Sequence, residues 1–301
     1  MKKISVVVPL APDRDLEILE SFNRYKKDIK LIVETGINPS RNRNKGAEKS
    51  NTWLVAFLNA HSILTENWAK EVKKFFKEHP DIDIVGGPQL TLKDDPIFER
   101  ASGYALSSIF GAGEVRYRYK IKALNLNANE KHLTSANLIC RRHVLKKIRF
   151  DEELWPSEDP KFISDAINAG FKVAYSPDIT VYHKRRGNLS SLIKQIFNYG
   201  FTRTRKEALS ETLKKPTFLV PGLFILYLLF IPTLALLNRY LLIPLLLYIS
   251  LNLFFSLSEG LRNKDSKTIF LLPLLFFSIH ASYGIGFLYG TLTKINAEKN
   301  I

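Results

Sequence analysis

The spacing of apolar positions changes several times along the chain. Residues 4–10 form a β-branched run closed by Pro9, the pattern of a buried strand. Leu16, Leu19 and Phe22 recur at helical spacing and predict a helix over 15–27. A second strand is expected over 29–34, then a turn at Gly36-Ile-Asn-Pro39. A short helix over 42–50 and a strand over 53–58 follow. Trp68, Val72, Phe75 and Phe76 share one face of a helix expected over 67–78. Residues 82–86 read as a strand, 157–170 as a helix, and 172–175 and 179–183 as strands. Strands alternating with helices predict a mainly parallel sheet with helices on both faces. Ligands of such sheets bind at the carboxyl ends of the strands, which directs attention to 9–14, 34–36, 59–61 and 86–88. Residues 89–133 carry no clear period.

Beyond residue 215 the alternation stops. Runs over 216–237, 240–257 and 268–292 are almost continuously apolar, and a helix needs about 20 such residues to cross the hydrocarbon core. Three spans are therefore expected, with Pro221, Pro232, Pro244 and Pro273 tolerated where neighbours satisfy freed carbonyls. Lys214, Lys215, Arg262, Lys264 and Lys267 flank the runs. Their bias places the N-terminal part on the cytoplasmic side and the C-terminal tail outside. Just before the first run, Leu189, Leu192, Ile193, Ile196 and Phe197 keep helical spacing amid Lys194, Arg203, Arg205 and Lys206. An amphipathic basic helix over 189–215 suits two environments equally: the interface, against anionic lipid, or a protein core.

Charge follows the same division. Of the net +15, residues 1–215 carry +12 and the rest +3, and 181–215 alone carry +7. The single cysteine, Cys140, excludes an internal disulfide and thiolate-rich metal sites. The run Val6–Val8 is too short for the apolar core of a secretion signal, so the first domain is expected to stay cytoplasmic. Arg116-Tyr-Arg-Tyr-Lys120 interleaves cations and aromatic rings, but five residues do not make a nucleic-acid platform.

Four segments carry candidate chemistry. Arg43-Asn-Lys-Gly-Ala47 opens a helix, a place suited to an anion. Asn59 and His61 are two apart at a strand end, share a face, and offer an amide oxygen and an imidazole to a divalent metal. Ser157-Glu-Asp-Pro160 starts a helix and offers a carboxylate for proton removal. Tyr182-His-Lys-Arg-Arg186 sets a His beside three cations, fit for a phosphate-rich ligand or a juxtamembrane patch.

In this order the segments resemble a family 2 glycosyltransferase of the GT-A fold, over roughly residues 4–205. Ile4–Pro9 resembles its first strand and Arg43-Asn-Lys-Gly-Ala its "RN-x-G-A" helix start. Phe57-Leu-Asn-Ala-His61 stands where the family has "F-L-D-A-D", and Ala136-Asn-Leu-Ile-Cys-Arg-Arg142 is similar to its acceptor-side segment. Ser157-Glu-Asp159 resembles the "E-D" motif, and 165–175 and Tyr182-His183 continue the match. The resemblance implies Asp159 as catalytic base, with Glu158 beside it. It implies a nucleotide-sugar held by Pro9, Glu34, Arg43, Lys45, Asn59, Lys184 and Arg185, and an acceptor side at Asn137. His61 and His183 would bind Mg²⁺ or Mn²⁺.

Two departures shape the expectation. Asn-Ala-His replaces Asp-x-Asp, which lowers the charge offered to a metal. Gln195-Ile-Phe-Asn-Tyr199 lacks the Arg and Trp of the processive "Q-x-x-R-W", which implies addition of a single sugar. The expected organisation is a GT-A-like catalytic domain (1–188), a basic juxtamembrane helix (189–215) and an all-α membrane region (216–301). The expected activity is inverting transfer of one sugar from a nucleotide-sugar to a lipid-linked or membrane-near acceptor at the cell membrane. Anionic lipid is an expected partner and nucleic acid is not. A non-catalytic nucleotide-sugar-binding membrane subunit is the alternative, and a basic membrane-surface scaffold a more distant one.

Overall fold

A computed structural model describes residues 3–206, 211–212 and 214–299. The chain divides into two compact units, residues 1–92 with 117–184, and residues 93–116 with 185–301. The boundary expected at 188 lies close to this division, but residues 93–116 join the second unit.

The first unit is built on a sheet of order β2-β1-β3-β7-β5-β8. Its strands are β1 (Ile4–Leu10), β2 (Ile29–Thr35), β3 (Leu54–Leu58), β5 (Ile84–Gly86), β7 (Asn137–Arg141) and β8 (Val173–Tyr175). β1 pairs in parallel with β2 and β3, and β5 with β8. β7 alone is antiparallel, to both β3 and β5. A smaller sheet of order β4-β9-β6 joins β4 (Ser62–Leu64), β9 (Val181–His183) and β6 (Gln89–Leu90).

Side chains of a strand alternate between faces, and both faces here are covered. Ile4, Val6 and Val8 pack with Leu54, Ala56 and Leu58 under α1 (Ile18–Phe22) and α3 (Trp68–Glu78). Val7, Val55 and Phe57 pack on the other side with Phe150 and Phe162, near α2 (Pro39–Glu48) and α6 (Glu158–Asn168). The helix expected over 15–27 is shorter: it begins where the Ile18 amide donates to the Ala60 carbonyl at 2.7 Å, and a 3-10 turn at Asn23–Tyr25 ends it. The unassigned stretch 89–133 supplies β6, α4 (Ile97–Ser107) and α5 (Ile109–Ala112).

The second unit contains α4, α5, α7 (Leu189–Lys206), α8 (Pro216–Leu237), α9 (Ile243–Arg262) and α10 (Leu272–Lys299). Thr217–Leu237, Arg239–Arg262 and Leu272–Ile295 are long and apolar enough to cross a membrane. The apolar face of α7 is not free: Leu192 and Ile196 are buried, and Gly200 lies against α10.

Candidate functional site

The helix start predicted to hold an anion is first a packing device. Gly46 of α2 crosses β1 so closely that a Cβ would sit 2.3 Å from Val7 Cγ1. Asn44 is buried and fastens the loop before α6: its amide donates to the Phe150 carbonyl at 2.9 Å, and its Oδ1 accepts the Phe150 amide at 2.9 Å. Phe150 then stacks on Phe162 of α6, with ring centroids 4.4 Å apart. The sequence reading did not mark Asn44. A poor helix former inside a helix was the signal available.

This packing brings Arg43 to the start of α6. Arg43 and Glu158 form an ion pair at 2.8 Å with side chains only 5% and 7% exposed. Burial pushes the Glu158 carboxyl up to about 7, the adjacent Asp159 charge pushes the same way, and Arg43 opposes both. Ser157, at the residue before the helix, has φ +102°, a left-handed conformation that is strained for a residue with a Cβ. Asp159, the next carboxylate, has Oδ1 buried with no hydrogen-bond partner. A buried, unpaired carboxylate oxygen is costly to stability, and such groups concentrate where chemistry needs them.

A second cluster forms where β4 meets β9. Ser62 pairs in register with His183, which carries β9 to the end of β3. There the Asn59 amide lies 3.1 Å from His183 Nε2, and the His61 and His183 rings meet edge to face at 4.4 Å. Among the described residues no group of three or more His, Cys, Asp or Glu could hold a metal ion. Asn59, His61 and His183 give two imidazoles and an amide. Mg²⁺ and Mn²⁺ favour carboxylate, carbonyl and water oxygens. The donor set does not fit these ions, and no step below runs through one.

The remaining expected residues are placed as follows. Pro9 and Glu34 face each other in the β1–β2 register. Glu34 is bound by Lys49 at 2.6 Å. Lys45 is exposed on α2. Asn137 is buried with both ends of its amide engaged, accepting from Trp68 Nε1 at 3.0 Å and donating to the Ile179 carbonyl at 2.7 Å. Lys184 pairs with Glu17 at 2.7 Å. Arg185 belongs to the second unit. The structure thus joins Arg43 to Glu158 and Asp159, and Asn59 to His61 and His183.

Comparison with known proteins agrees with this architecture. The model of the family described as glycosyl transferase family 2 matches residues 10–149. The mannosyltransferase PcManGT from Pyrobaculum calidifontis, solved with GDP-Man and Mn²⁺, superposes with a TM-score of 0.56 at 10% identity. That alignment covers 97% of this chain and 88% of the mannosyltransferase, and it is a likeness of fold. TarS 1–349 of S. aureus, solved with UDP-GlcNAc, aligns at 16% identity over 95% of this chain and 90% of its own, with a TM-score of 0.45. Against a longer TarS structure, at 15% identity and a TM-score of 0.46, 67% of this chain aligns, spanning 40% of that one. No curated protein matches the chain in sequence. Residues 10–149 match the glycosyl transferase family 2 model, the chain has a GT-A-like, mainly parallel sheet, and three helices long and apolar enough to cross a membrane follow.

Proposed function

We propose that the chain is a membrane-anchored, inverting glycosyltransferase that moves one sugar from a nucleotide-sugar to a lipid-linked or membrane-near acceptor, on the cytoplasmic side of the cell membrane. The observation that carries this reading is the buried, unpartnered oxygen of Asp159 beside a Glu158 locked to Arg43. The acceptor hydroxyl attacks the anomeric carbon, and its proton passes to Asp159 as the new bond forms. The bond from the anomeric carbon to the diphosphate breaks on the opposite face, so a single displacement inverts that centre. Pro9, Glu34, Lys45 and Asn59 are the proposed donor contacts. Lys184 and Arg185 would offset charge on the leaving diphosphate. Arg43 acts through Glu158. Asn137, whose amide is engaged on both ends, would shape the acceptor side without contacting it. The missing Arg and Trp of the processive motif support addition of a single sugar.

Asp159→Asn should lower transfer by about 10²–10⁴-fold, the usual contribution of a general base. Nucleotide-sugar affinity, measured by calorimetry, should stay near the parent value. Normal turnover by this variant removes Asp159 as base. Tight nucleotide binding by the parent without transfer to any acceptor would favour the non-catalytic subunit instead.

A further inference from the structure

The three apolar helices are not alike. In their most apolar stretches 6% of α8 and 11% of the second helix are buried by the rest of the chain, against 50% of α10. Much of that burial is against α7, and α7 runs beside α10 in the same direction. A Cβ on Gly286, Gly290 or Gly200 would meet the carbonyl oxygens of Phe197, Phe201 and Tyr283 at 2.1, 2.4 and 2.2 Å. Lys294 Nζ donates to the Thr204 carbonyl at 2.7 Å. Residues 197–204 therefore rise in step with 286–294, and α7 reaches whatever depth α10 reaches. Yet α7 carries Lys194, Arg203, Arg205 and Lys206. A cation at the centre of a membrane helix costs about 2.5–3.5 kcal/mol by insertion measurements. If α10 crossed the bilayer, Lys194 would lie near its centre, level with Tyr283, and Arg203, Arg205 and Lys206 would be carried to its far end.

The other half of α10 is held in the same way. His280 Nε2 donates to the Phe110 carbonyl at 2.7 Å, and the Phe110 ring packs on Phe276 and His280. Phe110 lies on α5, within 93–116, a segment that leaves the first unit after residue 92 and returns to it at 117. Such a segment starts and ends at the first unit. Likewise α7 starts only five residues (184–188) after β9. What α10 leaves exposed is one stripe, Leu274, Phe277, Ile285, Tyr289 and Leu292, at helical spacing. One exposed apolar stripe, with the other faces buried against protein and a basic helix alongside, suits the interface, where apolar surface meets the acyl boundary and cations meet headgroups.

We propose that α10 does not cross the bilayer. It lies in the membrane interface, paired with α7, with this stripe at the acyl boundary, and only α8 and α9 cross. The inference rests on the membrane anchoring proposed above. It places the C-terminus on the same side as the first unit, opposite to the side expected from charge bias alone.

The test uses the full chain in sealed membranes and a membrane-impermeant maleimide. Cys140 is buried and serves as a silent background. Three single additions are compared: Lys146→Cys on the exposed surface of the first unit, Arg239→Cys at the α8–α9 turn, and a cysteine appended after Ile301. The expected result is reaction of the appended cysteine and Lys146→Cys from one side, and of Arg239→Cys from the other. Reaction of the appended cysteine with the Arg239→Cys side overturns the proposal. So does reaction of all three from one side in protein that resists carbonate extraction. Protein washed off by carbonate, with every cysteine reactive from either side, would instead overturn the anchoring reading.

Discussion

Glu158 is a carboxyl group whose burial outweighs its own ion pair. Arg43 stands 2.8 Å away, yet desolvation and the neighbouring Asp159 charge push the group up to about 7. A carboxyl raised in the folded state binds a proton there that it has lost in the unfolded chain. The stabilising effect of that proton is full below the ordinary value of 4.5 and disappears as pH climbs through about 7. Glu158→Gln keeps the neutral shape at every pH. Its melting temperature relative to the parent should therefore rise between pH 5 and pH 8, and a flat difference would show that Glu158 does not titrate in this range. The Glu-Asp pair itself was legible from its place at a helix start. Its partner was not, because Arg43 lies 115 positions away and is brought in by Asn44 and Phe150. A second residue-scale prediction concerns Asn59. Asn59→Asp adds one carboxylate oxygen donor to the two imidazoles, and calorimetric Mn²⁺ affinity should rise roughly tenfold. An unchanged affinity would show that His61 and His183 do not face a common ion.

At the scale of elements, the period of apolar residues was enough to locate β1, β2, β3 and α3 to within about two residues. β7 escaped the reading. Asn137–Arg141 lies between β3 and β5 and holds Asn and Arg at its two ends, and its antiparallel direction is invisible to a pattern of alternating strands and helices. The segment 89–133 escaped because its elements serve two different units. Gly46 shows how packing overrides local preference. In a free helix, Ala in place of Gly stabilises by about 1 kcal/mol. Here the added methyl would meet Val7 2.3 Å away, inside a core layer with no slack. Gly46→Ala should destabilise by about 1–3 kcal/mol in urea melts. A stabilised variant would mean that α2 moves off β1 without cost.

For the whole molecule, uniform apolarity announced three helices long and apolar enough to cross a membrane, while their burial separates α10 from the other two. Hydropathy could not have made that distinction, since a helix whose remaining faces are buried against protein is apolar all round, as a spanning helix is. The charge distribution then has a sharper meaning than its sum. Three cations around the proposed chemistry are matched: Arg43 by Glu158, Lys49 by Glu34 and Lys184 by Glu17. On α7, Arg203 lies over the Phe218 ring at 3.7 Å and Lys206 is buried, while Lys194 and Arg205 remain exposed. Those two are placed to meet anionic headgroups if α7 lies at the interface, at about 1 kcal/mol each. The double variant Lys194→Gln, Arg205→Gln should therefore lose up to about thirtyfold of its turnover advantage in anionic over neutral proteoliposomes. The advantage of the parent should itself shrink in high salt, which screens exposed charges beyond about a Debye length. Donor affinity should be unaffected, because neither side chain belongs to the proposed site. Equal losses in neutral and anionic liposomes would assign these two cations to folding of the second unit rather than to the lipid surface.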